Sequence, residues 1–229
     1  SRFTFLYFLF VNSSIVQYKI FIMNILLTGG AGYIGSHIAL NLLDAGYEVT
    51  IIDDLSTGKK NLIPSKAEFI HCNVNELEKI ESLLKTKKFV ALIHFAGFVE
   101  VEESVSYPEK YFENNTTNSI KFFDLCVQND LSNIIFSSTA TVYGNPAHKG
   151  SVSETDDIKP INPYGESKVR TENYLQQFDS SKINYIILRY FNVAGSDPRM
   201  RSGLIKKNPT HLIKIASEAA IGKRDSVQI

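Results

Sequence analysis

The chain has 229 residues, 44% of them apolar, with 24 basic and 24 acidic side chains that leave a formal net charge of zero. That length suits one good-sized α/β domain, and the balanced charge gives no field that favours nucleic acid or an anionic membrane. Cys72 and Cys126 stand far apart without metal-ligand spacing, so no metal is expected and both thiols read as reduced, partly buried groups of a cytoplasmic protein.

The N-terminal segment is expected to lie outside the fold. Phe3 to Val11 is apolar, but Asn12-Ser13-Ser14 and Lys19 interrupt the pattern, and residue 1 is not Met. The run is too short to span a bilayer. A signal peptide fits badly, because Met23 leads straight into the first predicted strand. Residues 1–22 are therefore read as a non-native or disordered leader, with the true start at Met23.

From Asn24 the chain reads Asn-Ile-Leu-Leu-Thr-Gly-Gly-Ala-Gly-Tyr-Ile-Gly, and an amphipathic segment follows from Ser36 to Ala45. This pattern is a strand, a tight turn and a helix. Gly29 suits a turn that a side chain would obstruct, Gly32 a close approach of backbone to a pyrophosphate, and Gly35 tight packing of helix on strand. The free N–H groups of the first helical turn would face the anion. A glycine triplet alone is weak, but Glu48 to Ile52 reads as a second strand that ends at Asp53, about 20 residues further on. A carboxylate there accepts hydrogen bonds from ribose hydroxyls and repels a 2′-phosphate. Asp54 adds a second negative charge and no Arg follows directly, so NAD is expected rather than NADP.

The alternation continues. Ala67–His71, Ala91–Phe95, Asn133–Ser137 and Asn184–Arg189 have strand character, with helical patterns at Leu77–Lys85, Tyr107–Asn129 and Tyr164–Phe178 between them. A doubly wound parallel sheet covered on both faces is predicted, with ligands at the carboxyl ends of its strands. Asn145 to Asn162, rich in Pro, Gly, Ser and Asp, reads as a mobile flap over one such end.

Two further signals carry chemistry. Asn162 can cap a helix and Pro163 suits its first position, which places Tyr164 in the first turn and Lys168 on the same face. A phenol is a poor base at neutral pH, and a nearby cation stabilises its phenolate. Tyr and Lys four apart are common on any helix; beside a dinucleotide site the pair gains meaning. Ser137 to Gly144 falls where the fifth strand should end, so a hydroxyl there could relay a proton or polarise a substrate oxygen. His37, His71 and His148 have no chemical partner and read as structural or exposed.

These motifs, together with His94-Phe95-Ala96-Gly97, Glu103-Ser104-Val105, Asn114-Asn115, Arg189-Tyr190-Phe191-Asn192 and Gly222-Lys223-Arg224-Asp225, resemble the extended short-chain dehydrogenase/reductase superfamily. Within it the likeness is to the NAD-dependent epimerase/dehydratase group that acts on nucleotide sugars. The resemblance implies a Rossmann domain over residues 23–195 and the start of a truncated UDP-sugar-binding domain over 196–229, the chain being read as an inactive fragment. It implies interconversion of UDP-glucose and UDP-galactose by transient oxidation at sugar carbon 4 with tightly held NAD. Tyr164 would then take the hydroxyl proton, Lys168 would lower the Tyr164 pKa and bind the nicotinamide ribose, and Thr139 would bridge the substrate hydroxyl and the Tyr.

By the same resemblance, NAD would lie against Gly29, Gly32, Tyr33, Ile34, Gly35, Asp53, Asp54, Leu55, Ser56, Thr57, Gly58, Asn73, Val74, Phe95, Ala96, Gly97, Asn114, Tyr164, Lys168 and Phe191. The UDP-sugar would meet Thr139, Tyr164, Asn192, His211, Leu212, Gln228 and Ile229, and a homodimer is possible. Asn73 stands where Asp is usual and Val99 where some members have Lys. Related dehydratases carry Asp-Glu after the Thr of the strand-end motif, and decarboxylases a Glu; this chain has Ala140-Thr141. Other readings remain open: another NAD-dependent nucleotide-sugar epimerase of the same superfamily, a reductase with exchangeable NAD(P)H, and a non-catalytic NAD-binding regulatory module.

Overall fold

A computed structural model of the protein describes residues 23–146, 150–179, 181–205 and 211–227. The expected leader at 1–22, together with His148, Gln228 and Ile229, lies outside the described residues. Six strands, β1 (Asn24–Thr28), β2 (Glu48–Asp53), β3 (Glu68–His71), β4 (Ala91–His94), β5 (Asn133–Thr139) and β6 (Asn184–Tyr190), form one sheet in the order β3-β2-β1-β4-β5-β6, with every pairing parallel. The order reverses between β1 and β4. A crevice opens at such a point, beyond the strands' carboxyl ends.

Alternation along each strand divides the core. Leu26, Leu92 and Ile134 point to one face, where Ile80 and Leu84 of α2 (Leu77–Thr86) and Phe122, Phe123 and Cys126 of helix α5 (Ser119–Gln128) cover them. Ile25, Leu27, Ile51 and Ile93 point to the other and pack on α1 (Tyr33–Asp44) through Ala39, Ile38 and Leu42. The expected two-sided cover is incomplete. Along the register row Leu27, Ile93, Ile135 and Ile186, exposure rises from 0% at Leu27 to 55% at Ile186, because α1 packs over β1 and β2 and not over β6.

Helix boundaries also differ from the sequence pattern. Helix α1 begins at Tyr33, not Ser36, because Gly32 in extended conformation caps it. The predicted helix from Tyr107 to Asn129 is instead α4 (Pro108–Tyr111), a π-helical stretch (Phe112–Asn118) and α5, and the short helix α3 (Val101–Ser106) precedes them. Hydrophobic periodicity cannot register a π turn, which adds a residue to the helical repeat. Here Thr171 of α6 (Pro163–Gln176) donates its hydroxyl to the Asn115 carbonyl at 2.9 Å. Helix α6 starts as expected, with the Asn162 side chain accepting from Gly165 N at 2.8 Å and Pro163 at its first position. Within the predicted flap, Val152 and Ile158 pack against Val142, Tyr143 and Val169, and Lys159 N donates to Val142 O at 2.9 Å. That half is fastened to the fold.

Beyond β6 the chain turns back along α1. Tyr33 Oη donates to Gly195 O at 2.6 Å, Ser36 and Ser202 share a hydroxyl bond of 2.6 Å, and Arg201 joins Asp44 to Asp197 at 2.8 Å each. This strap leads to the last helix, α7 (Leu212–Ala220), which has no fully buried residue.

Candidate active site

The glycine turn is built by contact. Gly29 has φ +70°, and a Cβ there would lie 2.6 Å from Ala96 N; a Cβ at Gly35 would lie 2.2 Å from the Gly29 carbonyl oxygen. Neither neighbour can move, because both are backbone of the sheet ends, so glycine is required at both places. At Gly32 the only near atom would be Gly29 O, at 3.1 Å, which leaves that side open to a ligand.

Asp53 closes the turn. Its carboxylate, 8% exposed, accepts from Ala31 N and Leu55 N at 2.9 Å each. Burial pushes its carboxyl up, against the pull of those two N–H groups. The side chain thus first organises the protein, and each oxygen keeps a lone pair for a ligand. Asp54 accepts from Ser56 N, Ser56 Oγ and the Asn73 amide, so the second acid and the substituted Asn73 are hydrogen-bonded to each other. These bonds shape the turn from Asp53 through Leu55, Ser56 and Thr57 to Gly58. Val74 is buried in the larger core cluster.

At the other side of the crevice, Phe95, Ala96 and Gly97 follow β4, and Gly97 faces both Asn115 Oδ1 and Lys168 Nζ. Asn114 donates to Asn115 Oδ1 at 3.0 Å. Lys168 is 3% exposed, donates to Ser137 O at 3.0 Å and lies 5.0 Å from the centroid of the Phe136 ring. Burial pushes its ammonium down to about 8, with the Glu172 carboxylate acting the other way.

Tyr164 is 8% exposed. Burial raises its pKa, and the hydrogen bond from Thr139 opposes the rise. The reason is desolvation of the phenolate, while the Lys168 ammonium is engaged by Ser137 O. The Thr139 hydroxyl accepts from Thr141 N at 3.2 Å and Thr141 Oγ1 at 3.1 Å. With its acceptor sites filled, its own proton goes to the Tyr164 oxygen. Strand β5 runs two residues past the predicted end, which carries Thr139 to this position.

Phe191 is 71% exposed and Asn192 follows it at the open end of β6. His211 caps α7 and lines a cleft of about 330 Å³ with Tyr33, Gly195 and Leu204. Both ring nitrogens of His211 are buried without a hydrogen-bond partner among the described residues. Leu212 beside it is 56% exposed. No described contact joins His211 or Leu212 to Tyr164. His37 stacks edge-on with Tyr33, and His71 bonds Asp54 O, both consistent with structural roles. Residues 25–226 match the family described as NAD dependent epimerase/dehydratase. The chain belongs to that family.

Among relatives of this family member, the UDP-glucose 4-epimerase of Azospirillum brasilense is 41% identical over 206 residues, which is 90% of this chain and 59% of the relative. That of Lacticaseibacillus casei is 38% identical over 90% of this chain and 62% of its own length. The crystal structure of UDP-glucose 4-epimerase from Brucella ovis in complex with NAD superposes with a TM-score of 0.84 at 35% identity, covering 90% of this chain and 63% of that one. The Bifidobacterium longum enzyme in complex with NAD+ and UDP gives 0.81 at 29% identity, over 90% and 65%. The chain thus spans less than two thirds of these relatives. Among the described residues no helix is long and apolar enough to cross a membrane.

Sequence reasoning passed over Glu172 and the strap residues Asp197, Arg201 and Ser202, and gave Asn115 no role of its own. For Glu172 a signal existed, since it lies four residues after Lys168 on the same helical face.

Proposed function

We propose that the chain is the NAD-binding and catalytic part of a UDP-glucose 4-epimerase, which interconverts UDP-glucose and UDP-galactose in galactose metabolism. The observation that carries this reading is the buried trio Thr139, Tyr164 and Lys168 at the carboxyl end of β5, with no carboxyl group at Ala140 or Thr141. A site of this kind can move a proton on and off a sugar hydroxyl, and the strand-end motif carries no acid for elimination.

The residues fit NAD. The glycine turn leaves a surface that a Cβ would fill, and Asp53 offers free lone pairs toward ribose hydroxyls. Tyr33, Ile34, Phe95, Ala96, Gly97, Asn114 and Phe191 would meet the rest of the cofactor, and Lys168 would meet the nicotinamide ribose. When bound, NAD supplies the acceptor for hydride from sugar carbon 4 and the donor that returns it. Tyr164 accepts the 4-hydroxyl proton and later gives it back, and the Thr139 hydroxyl stabilises its phenolate form. The Lys168 cation adds to that stabilisation. Asn192, His211 and Leu212 would hold the UDP-sugar, His211 through its unpartnered ring nitrogens. The residues from 196 onward would begin the substrate-binding part, and pairing of two chains is compatible with this arrangement. The buried, unpaired thiols of Cys72 and Cys126 suit a reducing compartment such as the cytoplasm.

The test is NAD content after gel filtration, followed by formation of UDP-galactose from UDP-glucose. It is run on the chain alone and on the chain joined to the remaining segment of the Azospirillum brasilense relative. Retained NAD and product without net NADH support the reading. Net NADH with an oxidised sugar would make the protein a dehydrogenase, and bound NAD with no sugar chemistry in either form would favour a regulatory module.

A further inference from the structure

The trio is enclosed by a second polar group that the proposed reaction does not use. Glu172 is fully buried. Ser138 donates its hydroxyl to Glu172 Oε1. Arg189 on β6 donates from Nε to both carboxylate oxygens at 3.1 and 3.2 Å and from Nη2 to Oε2 at 2.6 Å. Its Nη1 donates to Tyr143 Oη at 2.8 Å, and the guanidinium lies 5.1 Å from the Tyr143 ring centroid. Three members of this network lie close in the chain to the trio. Ser138 immediately precedes Thr139, Tyr143 ends the 3₁₀ turn Ala140–Tyr143 that leaves it, and Glu172 is one helical turn beyond Lys168.

We infer that Glu172, fixed by Arg189, is a positioning residue: it ties α6 to the end of β5 and sets an anion one turn from Lys168, so that Lys168 stays cationic in a dry site. This inference rests on the proposed proton transfer at Tyr164. Burial of two charges is costly, and a core of this size gains as much from apolar packing, so a fully satisfied ion pair at this place calls for a reason beyond cohesion.

The groups facing Lys168 support the assignment. On β4, His94 is neutral, its imidazole held down to about 3 by burial and then by Lys168 itself. Strand β5 presents the Ser137 carbonyl and the Phe136 ring. The π-helical stretch presents the uncharged Asn115 across Gly97. Helix α4 contributes Tyr111, whose ring is 6.4 Å from that of Tyr164. From α6 itself come Tyr164 and Glu172, and the Arg189 cation on β6 is met by Glu172. Of these, the Glu172 carboxylate acts to keep the proton on Lys168.

The experiment compares the wild-type protein with Glu172→Gln, which keeps the shape but loses the charge, and with Glu172→Gln/Arg189→Gln, which leaves no unpaired ion. The Lys168 ammonium is titrated by ¹⁵N NMR, assigned by Lys168→Met, and the pH dependence of NAD affinity is measured alongside. In Glu172→Gln the Lys168 titration and the alkaline limb of NAD binding should move down by about one pH unit, and in the double variant, which also removes the Arg189 cation, by a smaller amount in the same direction, while turnover of Glu172→Gln at pH 8.5 falls about tenfold with little change in KM. An unmoved Lys168 titration in folded variants overturns the proposal, as does failure of both variants to fold, which would make the pair a stability element. Loss of NAD binding by the wild type would sink the oxidoreductive reading but leave the NMR titration to judge Glu172.

Discussion

At the level of single residues, solvation decides behaviour more than sequence spacing does. Tyr164 and Lys168 stand one helical turn apart, as the motif requires, yet burial drives the phenol up and the ammonium down. Burial biases each group toward its neutral form, and neighbours in the site act against that bias. Thr139 supplies one compensation directly. On the proposed function, in the chain joined to the remaining segment of the Azospirillum brasilense relative, replacing Tyr164 with Phe should leave NAD bound and reduce turnover by about a hundredfold or more, the usual range for a positioned acid/base; cofactor content and UDP-galactose formation check this. His94 gives a prediction of another kind. It is buried between Thr28 and Ser119, at 2.9 and 3.1 Å, and burial holds its imidazole down to about 3. The unfolded chain therefore binds a proton there between that value and about 6.5 that the folded chain does not, and stability must fall as pH drops through this window. Urea unfolding at pH 7 and pH 5 should show a clear loss for the wild type and a smaller loss for His94→Gln.

At the level of elements, the turn between β1 and α1 shows how local sequence and distant packing meet. The strand–glycine–helix pattern was readable because only backbone can pass where Gly35 lies against Gly29. A methyl group at Gly35 would overlap a carbonyl that the sheet holds in place. Gly35→Ala should therefore cost about 1–3 kcal/mol and weaken NAD binding, as thermal melting with and without NAD will show. The π-helical stretch was not readable. Its residues Phe112–Asn118 are mostly weak helix formers, Asn and Thr, but nothing in them marks a π turn; the extra residue per turn is selected by α6, whose Ser167 and Thr171 take up Asn115 and Thr116. The signal lies on another helix, fifty residues away along the chain.

At the level of the molecule, the strap from Gly195 to Ser202 joins the end of β6 to the length of α1, across a sheet in which these elements are far apart in order. Arg201 carries most of this link, since Asp44 and Asp197 share its guanidinium and both carboxyls are held below their usual range chiefly by hydrogen bonds from it. Arg201 and Asp44 are partly exposed, though Asp197 is buried, so the effect on global stability should be small. Arg201→Ala should shift the melting temperature little but speed amide hydrogen exchange in residues 195–203 and in the first turn of α1; unchanged exchange would show that the hydroxyl bonds of Tyr33 and Ser36 suffice.

Sequence by itself determined what depends on near neighbours. The alternation of strands and helices, the glycine turn, the Asn162–Pro163 helix start and the Tyr164–Lys168 face are each set by residues within one or two turns of one another. The ends of β5 and α1, the π turn, the Glu172–Arg189 network and the uneven cover of the sheet were settled only in three dimensions. These features arise where side chains far apart in the chain compete for the same buried space and the same hydrogen-bonding groups. Burial of Tyr164, which raises its pKa, was likewise not readable from spacing, because the cost of removing a charge from water depends on the whole fold around it.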